Sequence, residues 1–262
     1  IFSGGGTLGP VTPLLAMHKS IKDAYPDAEF LWVGTKRGPE RELVEQAGIS
    51  FVTLSSGKFR RYISIWNLVD IFRIIIGFFQ SFGLLMRERP DVCISAGGFI
   101  SVPLHWAAWL YGAKGWVHQQ DIRVGLANKL MVPFASIITT ALETSTTYFP
   151  KRTVHWLGNP VRQDMFSGSK ESARHRFGLR DDLPVIFATG GGTGSQQVNQ
   201  MIVEAAQHLE GHAQIVHLSG KERPQELVER ASQHIANYQV HQFFTVEMAD
   251  AYAAADIVVS RG

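Results

Sequence analysis

Short apolar runs and longer amphipathic stretches alternate along this chain from end to end. Residues 30–33, 51–54, 92–95, 115–118 and 137–140 are short apolar runs, which predicts strands. Between them, apolar positions recur at helical spacing near residues 11–24, 38–47, 66–88, 100–111 and 125–133. This alternation predicts a parallel, doubly wound α/β sheet, because parallel neighbours need a crossover helix. A second series follows, with strands at 185–188, 215–218, 240–244 and 257–259 and helices near 195–208, 223–235 and 247–254. Leu157-Gly158-Asn159-Pro160 joins the two series, and its breaker residues predict two domains, 1–159 and 160–262. Ile1-Phe2-Ser3 reads as the tail of a strand, and the last predicted strand lacks a covering helix. Both ends are therefore expected to be truncated.

Composition agrees with two α/β domains. The chain has 262 residues, 45% of them hydrophobic, enough for two cores. Charged residues are only 18%, which leaves room for an exposed apolar patch. A net charge of +2 gives no nucleic-acid footprint. One cysteine, Cys93, excludes an internal disulfide framework and a cysteine metal cluster, and suits a reducing compartment.

Each half opens with a strand followed at once by glycines: Ser3-Gly4-Gly5-Gly6-Thr7 and Thr189-Gly190-Gly191-Gly192-Thr193-Gly194. Glycine lets a backbone approach a phosphate closely, and the helix that follows offers unpaired N–H groups and a positive dipole end. A tight strand-to-helix turn is the alternative for both loops, and the second loop carries the sharper phosphate-binding signal. Pro10 suits a first helical turn, and Pro13 places the start of that helix near Thr12. Ser95-Ala96-Gly97-Gly98-Phe99 is a third such turn. Trp116-Val117-His118-Gln119-Gln120-Asp121 ends a strand on polar groups, so His118 and Asp121 are candidates for a base, a sugar ligand or structural hydrogen bonding. Arg162 can meet a phosphate or pair with a carboxylate. His208 and His212 have the spacing of a helical metal pair, but Gly211 lies between them and Leu209 stands where a catalytic Glu would be, which favours two surface histidines.

Residues 65–86 have the length of a membrane span, but Asn67, Asp70, Arg73, Gln80 and Arg87 interrupt them at helical spacing. An amphipathic helix with a wide apolar face is the better reading. Lys58-Phe59-Arg60-Arg61-Tyr62 precedes it, and together they suit either an anionic lipid surface or a core helix behind a solvated basic loop.

The ordered set of motifs resembles the MurG family, bacterial N-acetylglucosaminyltransferases that convert lipid I to lipid II. Gly4-Gly5-Gly6-Thr7-Leu8-Gly9-Pro10 is similar to the family's GGGTGGH loop, and Gly34-Thr35 with Glu40 and Ala47-Gly48-Ile49 to its GT…E…AGI segment. Pro90-Asp91-Val92 with Gly97-Gly98-Phe99-Ile100-Ser101 resembles PDVV…GGYxS, and His118-Gln119-Gln120-Asp121 stands for HEQN ahead of Gly125-Leu126-Ala127-Asn128-Lys129. Gly158-Asn159-Pro160-Val161-Arg162 matches GNPVR. Gly190-Gly191-Gly192-Thr193-Gly194 takes the place of GGSQG with Asn199 beyond it, and Ala255-Asp256-Ile257-Val258-Val259-Ser260-Arg261 resembles the ADlvisRaG segment.

The resemblance implies a GT-B fold, two Rossmann-like domains facing a cleft, the second incomplete here. It implies inverting transfer from UDP-N-acetylglucosamine to an undecaprenyl-pyrophosphoryl-linked acceptor, without cofactor or metal. It places the protein in the cytoplasm, peripherally on the inner face of the cytoplasmic membrane, with no nucleic-acid partner. Donor contacts are expected from Thr7, Leu8, Gly9, Asp121, Arg162, Gly192, Thr193 and Thr245, and acceptor or phosphate contacts from Gly6, Gly97, Gly98 and Phe99. The membrane face would comprise Arg60, Arg61, Phe72, Ile75 and Phe79. The family's GGH histidine is Pro10 here, which cannot take a proton, so Asp121 and His118 become the candidate bases. The family's segment that grips ribose and uracil would lie beyond Gly262, so this stretch alone is expected to bind donor poorly. A UDP-N-acetylglucosamine 2-epimerase and a non-catalytic nucleotide-sugar-binding subunit are the alternatives.

Overall fold

The computed structural model describes the chain except residues 58–64, 150–151, 192–193, 222, 245–246 and 262, and for residues 65–69 it describes the backbone only. The chain forms two compact units, Ile1–Arg162 and Gln163–Gly262, with the division just after the breaker segment.

The first unit runs β1 (Phe2–Ser3), α1 (Val11–Ala24), β2 (Leu31–Gly34), α2 (Glu40–Gln46), β3 (Ser50–Thr53), α3 (Ile65–Glu88), β4 (Val92–Ser95), α4 (Ser101–Tyr111), β5 (Lys114–Gln119), α5 (Leu126–Met131), β6 (Ile137–Thr140) and β7 (Val154–Trp156). Its seven strands lie in the order β3-β2-β1-β4-β5-β6-β7, each pair parallel. Strand order reverses between β1 and β4, so the turns leaving these two strands flank a crevice at the carboxyl edge of the sheet. Phe2, Trp32, Leu14 and Val44 fill one face of the sheet, and Leu85, Ile100, Leu104 and Ala108 the other. Helix α1 begins at Val11, close to the expected start, with Pro13 still in the first turn where its missing N–H costs nothing.

The second unit runs α6 (Lys170–Arg176), β8 (Val185–Thr189), α7 (Gln196–Leu209), β9 (Gln214–Leu218), α8 (Glu226–His234), β10 (Tyr238–His241), α9 (Met248–Ala254) and β11 (Ile257–Ser260). Its sheet order is β10-β9-β8-β11, again parallel, with the reversal between β8 and β11. Helices α7 and α8 cover one face through Val198, Ile202 and Val228, and α6 and α9 cover the other through Ala173, Ala251 and Ala254.

Two readings need correction. Strand β10 spans Tyr238–His241 rather than 240–244: Asn237 turns in the left-handed region (φ 60°), and Phe244 instead packs from the following loop on Phe177 and Phe187. Strand β7 and helix α6 were not expected. The one is a three-residue edge strand, and the other buries only Ala173 and is tied down by Lys170 and Arg174 on Asp256. Helix α7 ends at Leu209, so His208 and His212 are two exposed histidines at a helix end, as their sequence setting suggested.

Candidate functional site

In the first unit, the glycine loop after β1 and the turn after β4 meet at the strand-order reversal. Trp32 Nε1 donates to the Gly4 carbonyl (3.0 Å) and Gly4 N to Val33 O (3.2 Å), which fixes the base of the loop. The buried Glu40 carboxylate accepts from Gly6 N at 3.2 Å and from Thr35 N and Thr35 Oγ1, both at 2.6 Å. The Gly6 amide is thus already engaged within the protein. Thr7 and Gly9 are exposed and Leu8 is half-buried.

Gly97 and Gly98 both have positive φ (114° and 95°), and a Cβ on Gly98 would sit 3.3 Å from Gly5 O, so the two loops are packed together. Ser101 Oγ donates to Ser3 O (3.0 Å), locking the start of α4 to β1. Gly97, Gly98 and Phe99 are half-buried ahead of the first turn of α4, where Ser101 N donates to Gly98 O (3.2 Å) and Val102 N to Phe99 O (3.3 Å).

His118 and Asp121 differ sharply in setting. His118 is buried on β5, with Nδ1 2.9 Å from Thr139 Oγ1 and Nε2 3.4 Å from Asn159 Oδ1. Asn159 Oδ1 is an acceptor, so Nε2 carries the proton. Nδ1 then takes the Thr139 hydroxyl proton, while Trp116 Nε1 donates to the same oxygen at 2.9 Å. Burial lowers the pKa of this ring, and both of its nitrogens have partners within the unit. Asp121 is exposed just past β5. Gln119 Nε2 donates to its backbone carbonyl (2.8 Å) and Ser145 Oγ does so too (3.2 Å), holding the loop while leaving the carboxylate outside. Gln120 Nε2 ties the same loop to Ala96 O (2.9 Å), beside the Gly97 turn. Arg162 is half-buried at the end of the unit.

Helix α3 presents an unusual face. Phe72, Ile75, Ile76, Phe79 and Met86 are 60, 47, 50, 67 and 54% exposed, whereas Asp70 is buried and Gln80 accepts from Ser55 N (2.8 Å). Part of the polar stripe therefore turns inward to residues 55–57, and a large apolar strip faces out, more than a solvated surface normally carries. Arg60 and Arg61 lie outside the described residues. Among the described residues, no helix is long and apolar enough to cross a membrane.

In the second unit, the loop after β8 is shaped by Gly190 and Gly194. A Cβ on the first would collide with Ser195 N, and one on the second with Ser219 O. Ser195 caps α7 by accepting from Val198 N (3.4 Å), while within the turn Gly194 N donates to Gly191 O (2.9 Å) and Gly191 N to Thr189 Oγ1 (3.2 Å). Gly192, Thr193 and Thr245 lie outside the described residues.

Behind the loop runs a buried polar chain that the sequence did not reveal. Tyr238 Oη lies 2.6 Å from His217 Nδ1, His217 Nε2 3.1 Å from Asn199 Oδ1, and Asn199 Nδ2 donates to Ser219 O at 3.1 Å. Burial holds His217 down to about 4, and hence neutral. Arg223 Nε donates to Gly194 O (3.2 Å), so the Ser219–Gly220 turn after β9 belongs to the same site. A Ser-Gly pair at a strand end was the available signal.

Two parallel α/β units, each with a glycine turn at its strand-order reversal, are the two halves of a GT-B fold. Residues 1–140 match the glycosyltransferase family 28 N-terminal domain and residues 185–262 its C-terminal domain. The UDP-N-acetylglucosamine–N-acetylmuramyl-(pentapeptide) pyrophosphoryl-undecaprenol N-acetylglucosamine transferase of Shouchella clausii is 36% identical over 262 residues, covering 100% of this chain and 72% of that protein. The enzyme of the same name from Staphylococcus carnosus is 36% identical over 99% of this chain and 70% of its own length. Among solved structures, Acinetobacter baumannii MurG superposes with a TM-score of 0.71 at 22% identity, covering 99% of this chain and 71% of that one. The UDP-GlcNAc 2-epimerase of Neisseria meningitidis gives 0.66 at 15% identity, covering 99% of this chain and 75% of its own, so the GT-B fold is common to both chemistries. The chain belongs to the MurG family within glycosyltransferase family 28.

Proposed function

We propose that the protein transfers N-acetylglucosamine, with inversion, from UDP-N-acetylglucosamine to an undecaprenyl-pyrophosphoryl-linked muropeptide, the lipid I to lipid II step of peptidoglycan synthesis. The observation that carries this is 36% identity, along the whole chain, to transferases named for that reaction. The acceptor hydroxyl attacks the anomeric carbon, UDP leaves, and a base removes the hydroxyl proton. Asp121 is the base in this reading. Its support is an exposed carboxylate on a fixed loop, against a His118 ring whose nitrogens are both committed. The leaving diphosphate is met by the first turn of α7 and the glycine loop before it, with Arg162, Gly192, Thr193 and Thr245 as further donor contacts. Thr7, Leu8 and Gly9 line the sugar, and the turn at Gly97, Gly98 and Phe99 takes the acceptor's phosphate. The outward strip of α3 (Phe72, Ile75, Phe79), with Arg60 and Arg61, docks on the inner face of the cytoplasmic membrane, so the enzyme acts peripherally from the cytoplasm. The test is incubation of the full-length protein with UDP-N-acetylglucosamine and a lipid I analogue. Acceptor-dependent UDP release with disaccharide formation is expected. Conversion of the donor to its manno epimer would assign the epimerase chemistry instead, and binding without turnover a non-catalytic subunit.

A further inference from the structure

Glu40 opens α2 and is wholly buried. Among the described residues its carboxylate makes no ion pair, and its burial is compensated by three donors. Oε1 is anchored at the end of β2 by Thr35 N and Thr35 Oγ1, and Oε2 reaches across to Gly6 N. The space it occupies is kept clear by glycine: a Cβ on Gly5 or on Gly38 would collide with the carboxylate. The first loop is otherwise tied at its two ends, by Gly4 to Val33 and Trp32 and by Val11 N and Thr12 N to Leu8 O. Gly6 sits between, exposed, at φ 82°, with open space around it, so the Glu40 bond is what holds the turn carrying Thr7 and Gly9.

We propose that Glu40 is a positioning residue: an internal carboxylate that occupies the Gly6 amide and sets the conformation in which the first glycine loop meets substrate. The loop then contributes side chains and shape, while the Gly6 amide is withheld from any incoming phosphate. The kinetic arm of the test rests on the transferase reading, and the exchange arm does not.

Glu40→Gln isolates the claim. Its amide oxygen keeps both Thr35 bonds, while its NH₂ group faces the Gly6 N–H, donor against donor. Backbone amide exchange of the full-length protein, read by NMR, should accelerate at Gly6 by ten-fold or more, with Thr35 and the β1 and β2 amides unchanged. Gly38→Ala, whose Cβ meets both the same carboxylate and Thr35 Oγ1, should likewise accelerate exchange at Gly6, with Thr35 now affected too, and Glu40→Asp, one methylene short, should not rescue it. In the transferase assay, kcat should fall by ten-fold or more in Glu40→Gln with the donor KM held. Unchanged Gly6 exchange in both variants overturns the proposal. So does accelerated exchange throughout the unit with donor and acceptor kinetics failing together, which describes a merely structural residue. The expected exchange pattern in a protein that never transfers sugar keeps the clamp and removes the proposed reaction.

Discussion

Lowering the pH should loosen the first unit, and His105 should carry a separable share of the loss. His105 lies on α4 with 1% of its surface exposed, and neither ring nitrogen has a hydrogen-bond partner among the described residues. It fits because position 115 is glycine: a Cβ there would stand 3.2 Å from His105 Nδ1. Burial without a partner disfavours the imidazolium and pulls the pKa from 6.5 down to about 4. The folded ring therefore stays neutral where the unfolded ring already binds a proton. The contribution of His105 to stability is unchanged above pH 6.5, falls as the pH drops below it, and levels off near 4. At about 1.4 kcal/mol per pH unit, the loss at pH 5 is roughly 2 kcal/mol, a large share of a domain's marginal stability. All six tryptophans lie in the first unit, so their fluorescence follows its urea unfolding alone. His105→Leu removes the titration and keeps the apolar packing. Between pH 7 and pH 5 the wild-type midpoint should drop further than that of the variant, by about 1 M for an m-value of roughly 2 kcal/mol/M. Equal drops, or a His105 ring that titrates near 6.5 by NMR, would refute the reasoning.

Asp121→Asn should lower kcat by about 10²–10⁴ while leaving the donor KM and the fold in place, measured by UDP release; an undiminished kcat removes Asp121 as the base. Gly190→Ala forces a Cβ into Ser195 N, so UDP affinity of the full-length protein, measured by calorimetry, should weaken by about ten-fold or more, or roughly 1.4 kcal/mol. Replacing Phe72, Ile75 and Phe79 together by Ser removes three side chains that are already 47–67% exposed, so the melting temperature should barely move. Sedimentation with anionic vesicles should nevertheless fall, since each such side chain contributes about 1.5–3 kcal/mol when buried in lipid. Unaltered sedimentation would assign that strip another role.

The alternation of strands and helices was legible because β-α-β periodicity is local, and so was the placing of glycine turns at strand ends. What escaped the sequence was set by partners far along the chain. Nothing local to His118 reveals that Thr139, 21 residues away, and Asn159, 41 residues away, partner its ring nitrogens. The periodicity of α3 gives two faces but not which one looks inward, and Gln80 turns toward Ser55 while Phe79 beside it points out. Helix α6 escaped because its sequence is almost wholly polar and its place depends on Asp256, 86 residues beyond Lys170. Phe243 and Phe244 suggested a strand because they are apolar, yet Phe244 serves the core from a loop.

The two glycine turns look alike in sequence but differ electrostatically, and the difference supports a division of labour. In the first unit the turn is closed on an internal anion, since Gly6 N is spent on a buried carboxylate that adds negative charge beside the loop. In the second unit no carboxylate is bound to the described part of the turn. Ser195 caps only Val198 N, the dipole of the 14-residue α7 points outward with about half a positive charge, and Arg223 is bonded to the Gly194 carbonyl. Charge-assisted bonds of about 1.5–3 kcal/mol each are therefore on offer to a diphosphate at the second turn and are diminished at the first. An anion is better stabilised at the second turn than at the first, where Glu40 already occupies the Gly6 amide.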